Sequence, residues 1–340
     1  MPATMWRIGV IGAGWFASRR HCPDVDSHPR AKLAALCRRD KAALAKMGTA
    51  FQVDDLFSDY RALLASGTTD AVLICSPHQT HFEHTMAALE AGQHVLLEKP
   101  ITLNADEGRV LVERARETGR VLLVAQNPPY WRHCERLKQT FVDGRIGELE
   151  SASISWVGNA LGVLGRELLP ADLPGVVPPT LFRGDAGANG GFLVDGGSHL
   201  LCELVWCTGL RVSAVTAQMD SAESDVRAVV GLEMSNGAMV SLVQTADSKI
   251  RRKRQHSAYY GSLGTALVTG FPFHLQLETE EGVDRFSDEQ LTDVPRPIDD
   301  LVQAMETGQP VRLDGETAVH LVEVLTAAYE AARLGRRVEI

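Results

Sequence analysis

Residues 7–17, RIGVIGAGWFA, decide the fold of this chain. An apolar run typical of a buried strand leads directly into a GxGxxA motif, which opens a helix. In that context the first glycine permits a tight turn, the second lets the backbone approach a pyrophosphate at the helix N-terminus, and the alanine keeps helix and strand close. The motif therefore predicts a dinucleotide-binding βαβ unit. The expected cofactor contacts here are Gly12, Gly14, Trp15, Phe16 and Ala17.

The sequence that follows, to about Ala125, alternates short β-rich apolar runs with helix-like segments. This alternation is the pattern of a parallel sheet wound with helices. One helix is predicted between a cap at Asn104 and a stop at Gly119, and another around residues 56–64, where apolar residues recur at helical spacing. The predicted strands are residues 7–11, 32–37, 71–75, 94–98 and 121–125.

The alternation of strand-like and helix-like segments ends near residue 126. We therefore predict a Rossmann domain over residues 1–126 and a second domain over residues 127–340. Asn236-Gly237, between two apolar runs, predicts a β-hairpin, and the runs around it continue as an antiparallel sheet. Residues 158–191 are rich in glycine and proline and predict a long loop, which inside a compact domain is more often functional than idle. Two late helices are predicted near residues 298–307 and 316–333.

Composition argues against several classes of function. The 340 residues, with 45% hydrophobic and 23% charged side chains, suffice for about two globular domains. The formal net charge is −9, whereas nucleic-acid binding needs a broad basic surface. No apolar run reaches the roughly 18 residues of a membrane span, and the N-terminus lacks a signal-peptide pattern, so we expect a soluble cytoplasmic protein with neither membrane nor nucleic-acid partners. The six cysteines contain no CxxC pair and are expected to be reduced thiols.

The end of the second predicted strand determines the preferred cofactor, because it meets the adenosine ribose. An acidic residue there selects NAD, but this chain reads Arg38-Arg39-Asp40. Two guanidinium groups suit a 2′-phosphate and offer nothing special to a hydroxyl. The sequence therefore predicts NADP, with NAD as the alternative if Asp40 contacts the ribose.

Candidate catalytic residues occur in two separate segments. Lys99 follows the predicted strand at residues 94–98, and the carboxyl ends of parallel strands face the ligand crevice. Asp195 and His199 are four residues apart, so they project from one face if their segment is helical. A histidine is a natural acid or base near neutral pH, and an ammonium group can stabilise an oxyanion. These residue types suit proton transfer at a hydroxyl or carbonyl group.

The motifs together resemble those of the Gfo/Idh/MocA oxidoreductases over nearly the whole chain. The resemblance rests on GVIGAGWFA near the start, SPHQTHFEHTMAALEAGQHVLLEKP at residues 76–100, GRIGEL at 144–149 and GGFLVDGGSHLL at 190–201. The EKP and DxxxH elements are more specific than the glycine loop. The resemblance implies an α/β Rossmann domain with a doubly wound parallel sheet. It also implies a following α+β domain with a large open, mainly antiparallel sheet, with substrate bound between the two.

The activity implied by this resemblance is NAD(P)-dependent hydride transfer that interconverts a secondary hydroxyl and a ketone of a sugar, sugar derivative or cyclitol. Lys99, Asp195 and His199 match the catalytic positions and also contact substrate; whether the proton passes through His199 or Lys99 stays open. Further implied cofactor contacts are Ser76, Pro77, His81, Glu98, Lys99 and Gln126. Further implied substrate contacts are Tyr130, Trp131 and Arg183.

The chain departs from the family pattern in two places. Residues 127–131, NPPYW, stand where the family often shows an arginine before an aromatic residue, so we expect an altered substrate pocket there. Cys202 stands where an aspartate commonly follows three residues after His199. A carboxylate that assists His199 would therefore come from Glu203 or be absent.

No metal site is predicted. His78, His81 and His84 recur every third residue, and imidazoles on one helical face can chelate. This spacing drifts around a helix, however, and no cysteine or carboxylate cluster completes the set.

A self-associating surface is predicted on the second domain. Alternating apolar residues on its sheet leave one face uncovered, because few helices are available to cover it. In similar proteins that face commonly forms a subunit interface. We therefore expect a homodimer or homotetramer through this sheet.

Three other functions remain open at this stage. Some family members oxidise a sugar transiently with a bound cofactor and so act as glycosidases. A regulatory protein that senses the cofactor without turnover would not need the Lys99, Asp195 and His199 set. A reductase of a dihydrodiol or another ketone would differ only in the lining of its pocket.

Overall fold

The protein consists of two packed units in the computed structural model, which describes residues 5–169, 173–179 and 190–340. The first unit comprises the described parts of Met1–Ala125, Leu169–Phe182 and Pro295–Val319. The second unit comprises the described parts of Gln126–Leu168, Arg183–Val294 and His320–Ile340. A single sheet forms the centre of each unit.

Within the described residues, the sheet of the first unit has six parallel strands: β1 (Trp6–Ile11), β2 (Ala31–Cys37), β3 (Leu56–Phe57), β4 (Ala71–Ile74), β5 (His94–Glu98) and β6 (Leu122–Ala125). Their order is β3-β2-β1-β4-β5-β6. This is the order of doubly wound dinucleotide-binding sheets, which bind ligands at the carboxyl ends of the strands where the order reverses, here between β1 and β4. The predicted parallel sheet is confirmed.

The helices of this unit follow local sequence signals. In the helix after β5, the Asn104 side chain accepts a hydrogen bond from the Asp106 N–H, and Gly119 ends the helix at φ 62°. The predicted helix at residues 56–64 is shorter than expected, because its first residues pair with β2 as β3 and Asp59 caps the helix behind them. The helices are α1 (Cys22–Asp26), α2 (Lys41–Phe51), α3 (Tyr60–Ala65), α4 (His81–Glu90) and α5 (Ala105–Thr118).

Nine strands of the described residues form the sheet of the second unit: β7 (Leu149–Val157), β8 (Val212–Met219), β9 (Arg227–Met234), β10 (Met239–Thr245), β11 (Arg254–Gly261), β12 (Gly264–Gly270), β13 (His274–Thr279), β14 (Gly282–Ser287) and β15 (Val338–Glu339). The order is β14-β13-β12-β11-β7-β10-β9-β8-β15. Neighbouring strands are antiparallel except β7 and β10. The predicted mainly antiparallel sheet is confirmed, and its central parallel pair was not predicted.

The predicted hairpin at Asn236-Gly237 is confirmed, and its turn also helps to fix the sheet. Gly237 has φ 88°, which glycine adopts without strain, and β9 pairs with β10 across the turn. The Asn236 side chain accepts a hydrogen bond from the Ala238 N–H at 3.1 Å. It also donates one to the Leu149 carbonyl oxygen of β7 at 2.8 Å. The turn therefore ties the hairpin to β7.

This sheet buries one face and exposes the other. On β7, Ala152 and Ile154 are buried, whereas Ser153 between them is exposed. On β9 and β10, Val229 is 50% exposed and Met239 is 60% exposed. The exposed face thus combines small polar residues with uncovered apolar ones.

Two helices of the second unit pack on the buried face, α6 (Arg132–Val142) and α7 (Ser198–Thr208). Phe141 of α6 meets Tyr259 of β11 edge-on, with ring centroids 6.1 Å apart. Glu203 of α7 accepts a hydrogen bond from the Tyr259 hydroxyl at 2.7 Å. Both helices are therefore anchored to the sheet through one buried tyrosine.

The late helices are α8 (Pro297–Thr307) and α9 (Gly315–Leu334), close to the predicted ranges. By packing, α8 belongs to the first unit, although the sequence-based division assigns it to the second domain. Glu306 of α8 accepts a hydrogen bond from the Trp6 indole at 3.0 Å and forms an ion pair with Arg30 at 2.7 Å. Within the residues described, no helix is both long and apolar enough to cross a bilayer.

Candidate active site

The loop after β1 leaves no space for a side chain at its two glycines. Gly12 adopts φ 85°, and a Cβ atom there would lie 2.6 Å from the backbone nitrogen of Ser76. The Gly14 N–H closes the turn by donating to the Gly12 carbonyl oxygen at 2.7 Å. A Cβ atom at Gly14 would lie 3.1 Å from the Arg38 guanidinium. Both glycines are partly exposed, so a ligand can approach their backbone.

The end of β2 presents two cations beside this loop. Arg38 folds back over it, with Nη1 donating to the Ala13 carbonyl oxygen at 3.3 Å and a buried Nε that makes no hydrogen bond within the described residues. Arg39 is exposed. Asp40 caps α2, and the backbone N–H groups that it accepts hold the pKa of its carboxyl below the usual value. The carboxylate next to the two arginines is therefore engaged by the helix that it caps.

Trp15 anchors a later segment of the same unit. Its indole N–H donates to the Pro174 carbonyl oxygen at 2.7 Å, and a Cβ atom at Gly175 would lie 2.6 Å from its ring. The Ser18 hydroxyl accepts a hydrogen bond from the Val176 N–H at 3.0 Å. The turn after the glycine motif thus holds part of the long loop that the sequence predicts.

Two predicted cofactor residues, Phe16 and Glu98, are connected through a histidine that the sequence analysis missed. His21 ends a π-helical turn, Ala17–His21, directly after the motif. Its Nε2 lies 2.7 Å from Glu98 Oε1, and its ring contacts Phe16 edge-on at 5.6 Å. This contact joins the helix after β1 to the end of β5. A single histidine within a helix carries no sequence motif that would reveal it.

His81 joins the loops that follow β4 and β5. Its side chain is fully buried, with Nε2 3.0 Å from the Ser76 carbonyl oxygen and Nδ1 2.7 Å from the Pro100 carbonyl oxygen. Burial lowers the pKa of its imidazole. His81 therefore positions these two loops, and its predicted contact with the cofactor stays a prediction. It thereby fixes the backbone around Lys99, which is only 6% exposed.

Ser76 and Pro77 begin the short turn after β4. The Ser76 hydroxyl forms a hydrogen bond with His84 Nδ1 at 2.9 Å. Burial lowers the pKa of the His84 imidazole to about 4. The imidazole is therefore neutral near neutral pH. The Pro77 carbonyl oxygen accepts hydrogen bonds from the Thr80 N–H at 2.8 Å and hydroxyl at 2.7 Å. These contacts fix the turn beside the glycine loop.

In the second unit, one helical segment presents Asp195 and His199. Leu193–Gly197 is a π-helical turn that runs directly into α7, so the segment that carries Asp195 and His199 is helical, which the sequence analysis had left as a condition. Most residues of 191–201 are buried, but Asp195 and His199 are partly exposed. π-helical turns inside longer helices are frequent at functional sites. A carboxylate and an imidazole are thus accessible on a segment whose residues are mostly buried.

Gln126 and Asn127, at the start of the second unit, bind this segment. Gln126 Nε2 donates to the Ser198 carbonyl oxygen at 3.1 Å, while its buried Oε1 makes no hydrogen bond within the described residues. Asn127 Nδ2 lies 3.4 Å from His199 Nε2. An amide nitrogen only donates, so this contact requires Nε2 to carry the lone pair. Asn127 was noted only as a departure from the family pattern.

His199 adjoins an aromatic cluster through Trp131. The Trp131 ring lies 6.0 Å from the His199 ring and 5.4 Å from the rings of both His133 and Phe273. Tyr130, in the turn before it, is buried. Sequence reasoning predicted Trp131 and Tyr130 but missed Phe273, because the turn before β13 is remote in sequence. The remaining predicted substrate residue, Arg183, lies outside the described residues.

A buried carboxylate, Asp225, clamps the start of the helical segment. Its oxygens accept hydrogen bonds from the Leu193 N–H at 3.1 Å, Gln244 Nε2 at 2.8 Å and the Tyr329 hydroxyl at 2.5 Å. The Tyr329 hydroxyl also accepts from the Gly191 N–H at 3.0 Å. Burial raises the pKa of this carboxyl. No motif revealed Asp225, whose partners come from three separate segments.

Glu203 does not supply carboxylate help to His199. It is fully buried, and its oxygens accept hydrogen bonds from the Tyr259 hydroxyl at 2.7 Å and from Gln255 Nε2 at 2.9 Å. Cys202 is also fully buried. The expectation that Glu203 could replace the family's aspartate is therefore not supported, because its side chain turns towards the sheet.

Two family models match the chain. The model of the oxidoreductase family with an NAD-binding Rossmann fold matches residues 6–126. The model of the GFO/IDH/MocA C-terminal domain matches residues 134–267. Together they cover most of the sequence.

Proteins of similar length match over nearly their whole chains. A D-glucoside 3-dehydrogenase of Escherichia coli K12 is 25% identical, over 100% of this chain and 99% of the relative. A D-xylose 1-dehydrogenase (NADP(+)) of Haloferax volcanii is 24% identical, over 98% and 99%. A solved levoglucosan dehydrogenase, in complex with NADH and L-sorbose, has a TM-score of 0.86 at 18% identity over 99% of both chains. This last likeness shows the shared fold.

The Asp225 clamp leads to a stability prediction. Asp225→Asn replaces an acceptor oxygen by a donor that faces other donors, so the free energy of unfolding should fall by about 1–3 kcal/mol. Tyr329→Phe, which leaves the Gly191 N–H without this acceptor, should also destabilise. Urea unfolding measures both. The control Tyr260→Phe alters an exposed ring and should change stability by less than about 0.5 kcal/mol; an Asp225→Asn protein as stable as the parent would contradict the clamp.

Proposed function

This chain belongs to the GFO/IDH/MocA oxidoreductase family, and on that premise we propose that it interconverts a secondary hydroxyl and a ketone of a sugar, sugar derivative or cyclitol by hydride transfer. The observation that carries the proposal is the partly exposed pair Asp195 and His199 on a segment whose other residues are mostly buried. The names of the D-glucoside and D-xylose dehydrogenase relatives support the carbohydrate class.

The residues present fit a nicotinamide dinucleotide. Gly12 and Gly14 leave a cradle that a Cβ atom would fill, and Gln126 Oε1 is a buried acceptor without a hydrogen bond in the described part of the chain. When bound, the nicotinamide accepts or delivers the hydride. The glycine-loop backbone would hold the pyrophosphate, and the amide oxygen of Gln126 is available to accept a hydrogen bond.

NADP is the proposed preferred cofactor. Arg38 lies against the glycine loop with its Nε unsatisfied within the described residues, and Arg39 is exposed beside it. Together they can pair with a 2′-phosphate. Asp40, which would have to bind a ribose hydroxyl in an NAD enzyme, already caps α2.

His199 is proposed to move the proton. The Asn127 contact leaves the lone pair on Nε2, and a hydrogen bond of 3.4 Å is weak enough for a substrate hydroxyl to replace it. During oxidation His199 would take the hydroxyl proton while the hydride leaves carbon, and reduction reverses both transfers. Asp195 would bind a neighbouring substrate hydroxyl, and the Lys99 ammonium would stabilise the oxyanion as it develops.

The first functional prediction concerns Lys99 and His199. After a screen of sugars and cyclitols with NADP⁺ and NAD⁺ identifies a substrate, Lys99→Met and His199→Ala should each lower turnover by about a hundredfold or more. NADPH affinity, from fluorescence titration, should stay within about threefold of the parent, because neither residue is proposed to hold the phosphates. The control His256→Ala alters an exposed histidine of β11 and should leave turnover unchanged.

The double variant sharpens this test. If both residues serve one chemical step, the loss in Lys99→Met/His199→Ala should be smaller than the product of the two single losses. Turnover near that of the parent in both single variants would refute the assignment.

Cofactor preference gives a second prediction. Arg38→Ala should raise the Kd for NADPH about tenfold or more, because a charge-assisted pair is lost, and should change the Kd for NADH little. Fluorescence titrations with both nucleotides measure this split, and Lys46→Ala on the exposed side of α2 is the matched control. Equal parent affinities for the two nucleotides, or tighter NADH binding, would overturn the NADP preference.

We also expect a homodimer or homotetramer through the exposed face of the second sheet. The uncovered Val229 and Met239 on that face support this expectation. Sedimentation velocity should give a mass above that of one chain, and Val229→Asp/Met239→Lys should shift it to the monomer. Val142→Asp, at a 70% exposed position on α6, should leave the assembly intact; a monomeric parent protein would contradict the expectation.

A further inference from the structure

Three potential metal ligands converge between two helices of the second unit, in a cluster formed by His133, Cys134 and Glu203. His133 and Cys134 lie in the first turn of α6, and Glu203 lies in the middle of α7. Cys134 Sγ is 3.9 Å and His133 Nε2 is 3.7 Å from the same oxygen, Glu203 Oε2. All three ligand atoms lie within 4.8 Å of one another. Among the described residues, no other group of three or more such ligands converges in this way.

The cluster is entirely shielded from solvent. His133, Cys134 and Glu203 each have 0% exposure. Neither ring nitrogen of His133 makes a hydrogen bond within the described residues. Buried polar atoms are ordinarily hydrogen-bonded, and an ion that binds them is one physical explanation when they are not. Two unsatisfied nitrogens on a buried ring therefore point to a ligand.

The other contacts of Glu203 leave this side of the carboxylate available. Oε1 accepts from the Tyr259 hydroxyl, and Oε2 accepts from Gln255 Nε2. A carboxylate oxygen has two lone pairs, so Oε2 retains one for the side on which His133 and Cys134 lie. The Gln255 and Tyr259 bonds orient the carboxylate as outer partners orient metal ligands.

Charge balance also favours a cation. A compensating positive charge stabilises a fully buried carboxylate further than its hydrogen bonds do, and within the described residues the only ion pair of Glu203 is the 3.7 Å contact with His133. A protonated imidazole would balance the carboxylate, but within the described residues it would leave Nδ1 without a hydrogen bond, and the Cys134 thiol would only donate a long hydrogen bond to Glu203 Oε2. A divalent ion balances both the carboxylate and a thiolate, and uses the imidazole as a neutral ligand.

We propose that His133, Cys134 and Glu203 bind one divalent metal ion of the zinc class, which crosslinks α6 to α7. Nitrogen, sulfur and oxygen ligands from His, Cys and Glu are those that zinc takes in proteins. With metal–ligand bonds of about 2.0 Å to nitrogen or oxygen and about 2.3 Å to sulfur, ligand atoms in a tetrahedral site lie roughly 3.3–3.5 Å apart. The two separations from Glu203 Oε2, 3.7 and 3.9 Å, need to contract by a few tenths of an ångström. The separation between sulfur and imidazole nitrogen is at most 4.8 Å and needs to contract by up to about 1.5 Å, and water can fill the fourth position. This site does not depend on the proposed dehydrogenase function.

The site would stabilise the aromatic rings near His199. The His133 ring stacks on Phe273 with centroids 3.8 Å apart and on Trp131 at 5.4 Å. Trp131 in turn lies 6.0 Å from His199. A metal that holds His133 thereby fixes the ring that contacts the imidazole of the proposed active site.

Metal content of the intact protein tests the proposal directly. The untagged full chain is purified without chelators from medium supplemented with zinc or with cobalt, because a buried site is filled as the protein folds. Mass spectrometry of the metal should give about one zinc per chain. The cobalt protein should show a thiolate-to-cobalt charge-transfer band and tetrahedral ligand-field bands. Less than about a tenth of an equivalent of either metal, or a cobalt spectrum without thiolate charge transfer, overturns the proposal.

Two variants assign the ligands. Cys134→Ser removes the sulfur with almost no change in volume, and His133→Phe keeps the ring stack but removes the nitrogens. Each should lower bound metal at least about tenfold. Cys22→Ser, at a buried thiol of the first unit, should retain full metal, and circular dichroism checks folding. Metal content unchanged in both folded variants overturns the assignment; if neither variant folds, the cobalt spectrum of the parent protein decides.

Discussion

The close approach of Gly12 to the backbone that follows β4 is the constraint on which the first unit depends. Only a residue without Cβ fits 2.6 Å from the Ser76 nitrogen, and only glycine adopts φ 85° there without strain. Because β1 and β4 are neighbours at the point where the strand order reverses, this contact brings the glycine loop close to the turn after β4, at the edge of the sheet where ligands of such folds bind. His81 and the Glu98–His21 pair then join the ends of β4 and β5 to the same loop. The glycine motif is therefore one part of a network that also fixes Lys99.

In the second unit, a buried carboxylate holds the candidate catalytic segment in place. Asp225 holds the segment that carries Asp195 and His199 by accepting hydrogen bonds from backbone and side-chain donors. Hydrogen bonds from several donors compensate the cost of burying such a group, and they orient the segment without occupying its exposed side chains. Asp225 thus positions the segment, whereas the proposed chemistry belongs to other residues.

Much of the fold could be predicted because its signals are local. Strand-length apolar runs, the cap at Asn104 and the Asn236-Gly237 turn each depend on a few neighbouring residues, and the observed elements lie close to those predicted. The two-residue strand β3 was missed because it forms only by pairing with β2. The return of α8 to the first unit was also missed, because packing between remote segments decides it.

The residues of the candidate site also fall into two groups, those that local motifs predict and those that only the structure reveals. Gly12, Lys99 and His199 stand in recognisable motifs, whereas His21, Asn127 and Asp225 act through partners far away in the sequence. Periodicity carries no information about such pairs, so only the folded chain reveals them. His78, His81 and His84 have a regular spacing that can occur in metal sites. In the structure, His81 contacts the Ser76 and Pro100 carbonyl oxygens and His84 contacts the Ser76 hydroxyl. Regular spacing along a chain is a poor guide to convergence in space when the partners are elsewhere.

The parallel pairing of β7 with β10 has a consequence for how the second sheet assembles during synthesis. β7 lies between β10 and β11, and its contacts with them include Ser153 with Ser241, 88 residues apart, and Ser155 with His256, 101 residues apart. β7 leaves the ribosome long before either neighbour exists, whereas β8–β10 and β11–β14 can each form as a local meander. One edge of the nascent strand must remain unpaired until β10 has been synthesised, and the other edge until β11 has. Assembly of this sheet is therefore governed by the late insertion of its earliest strand, a high contact-order step that makes β7 the segment most open to mispairing.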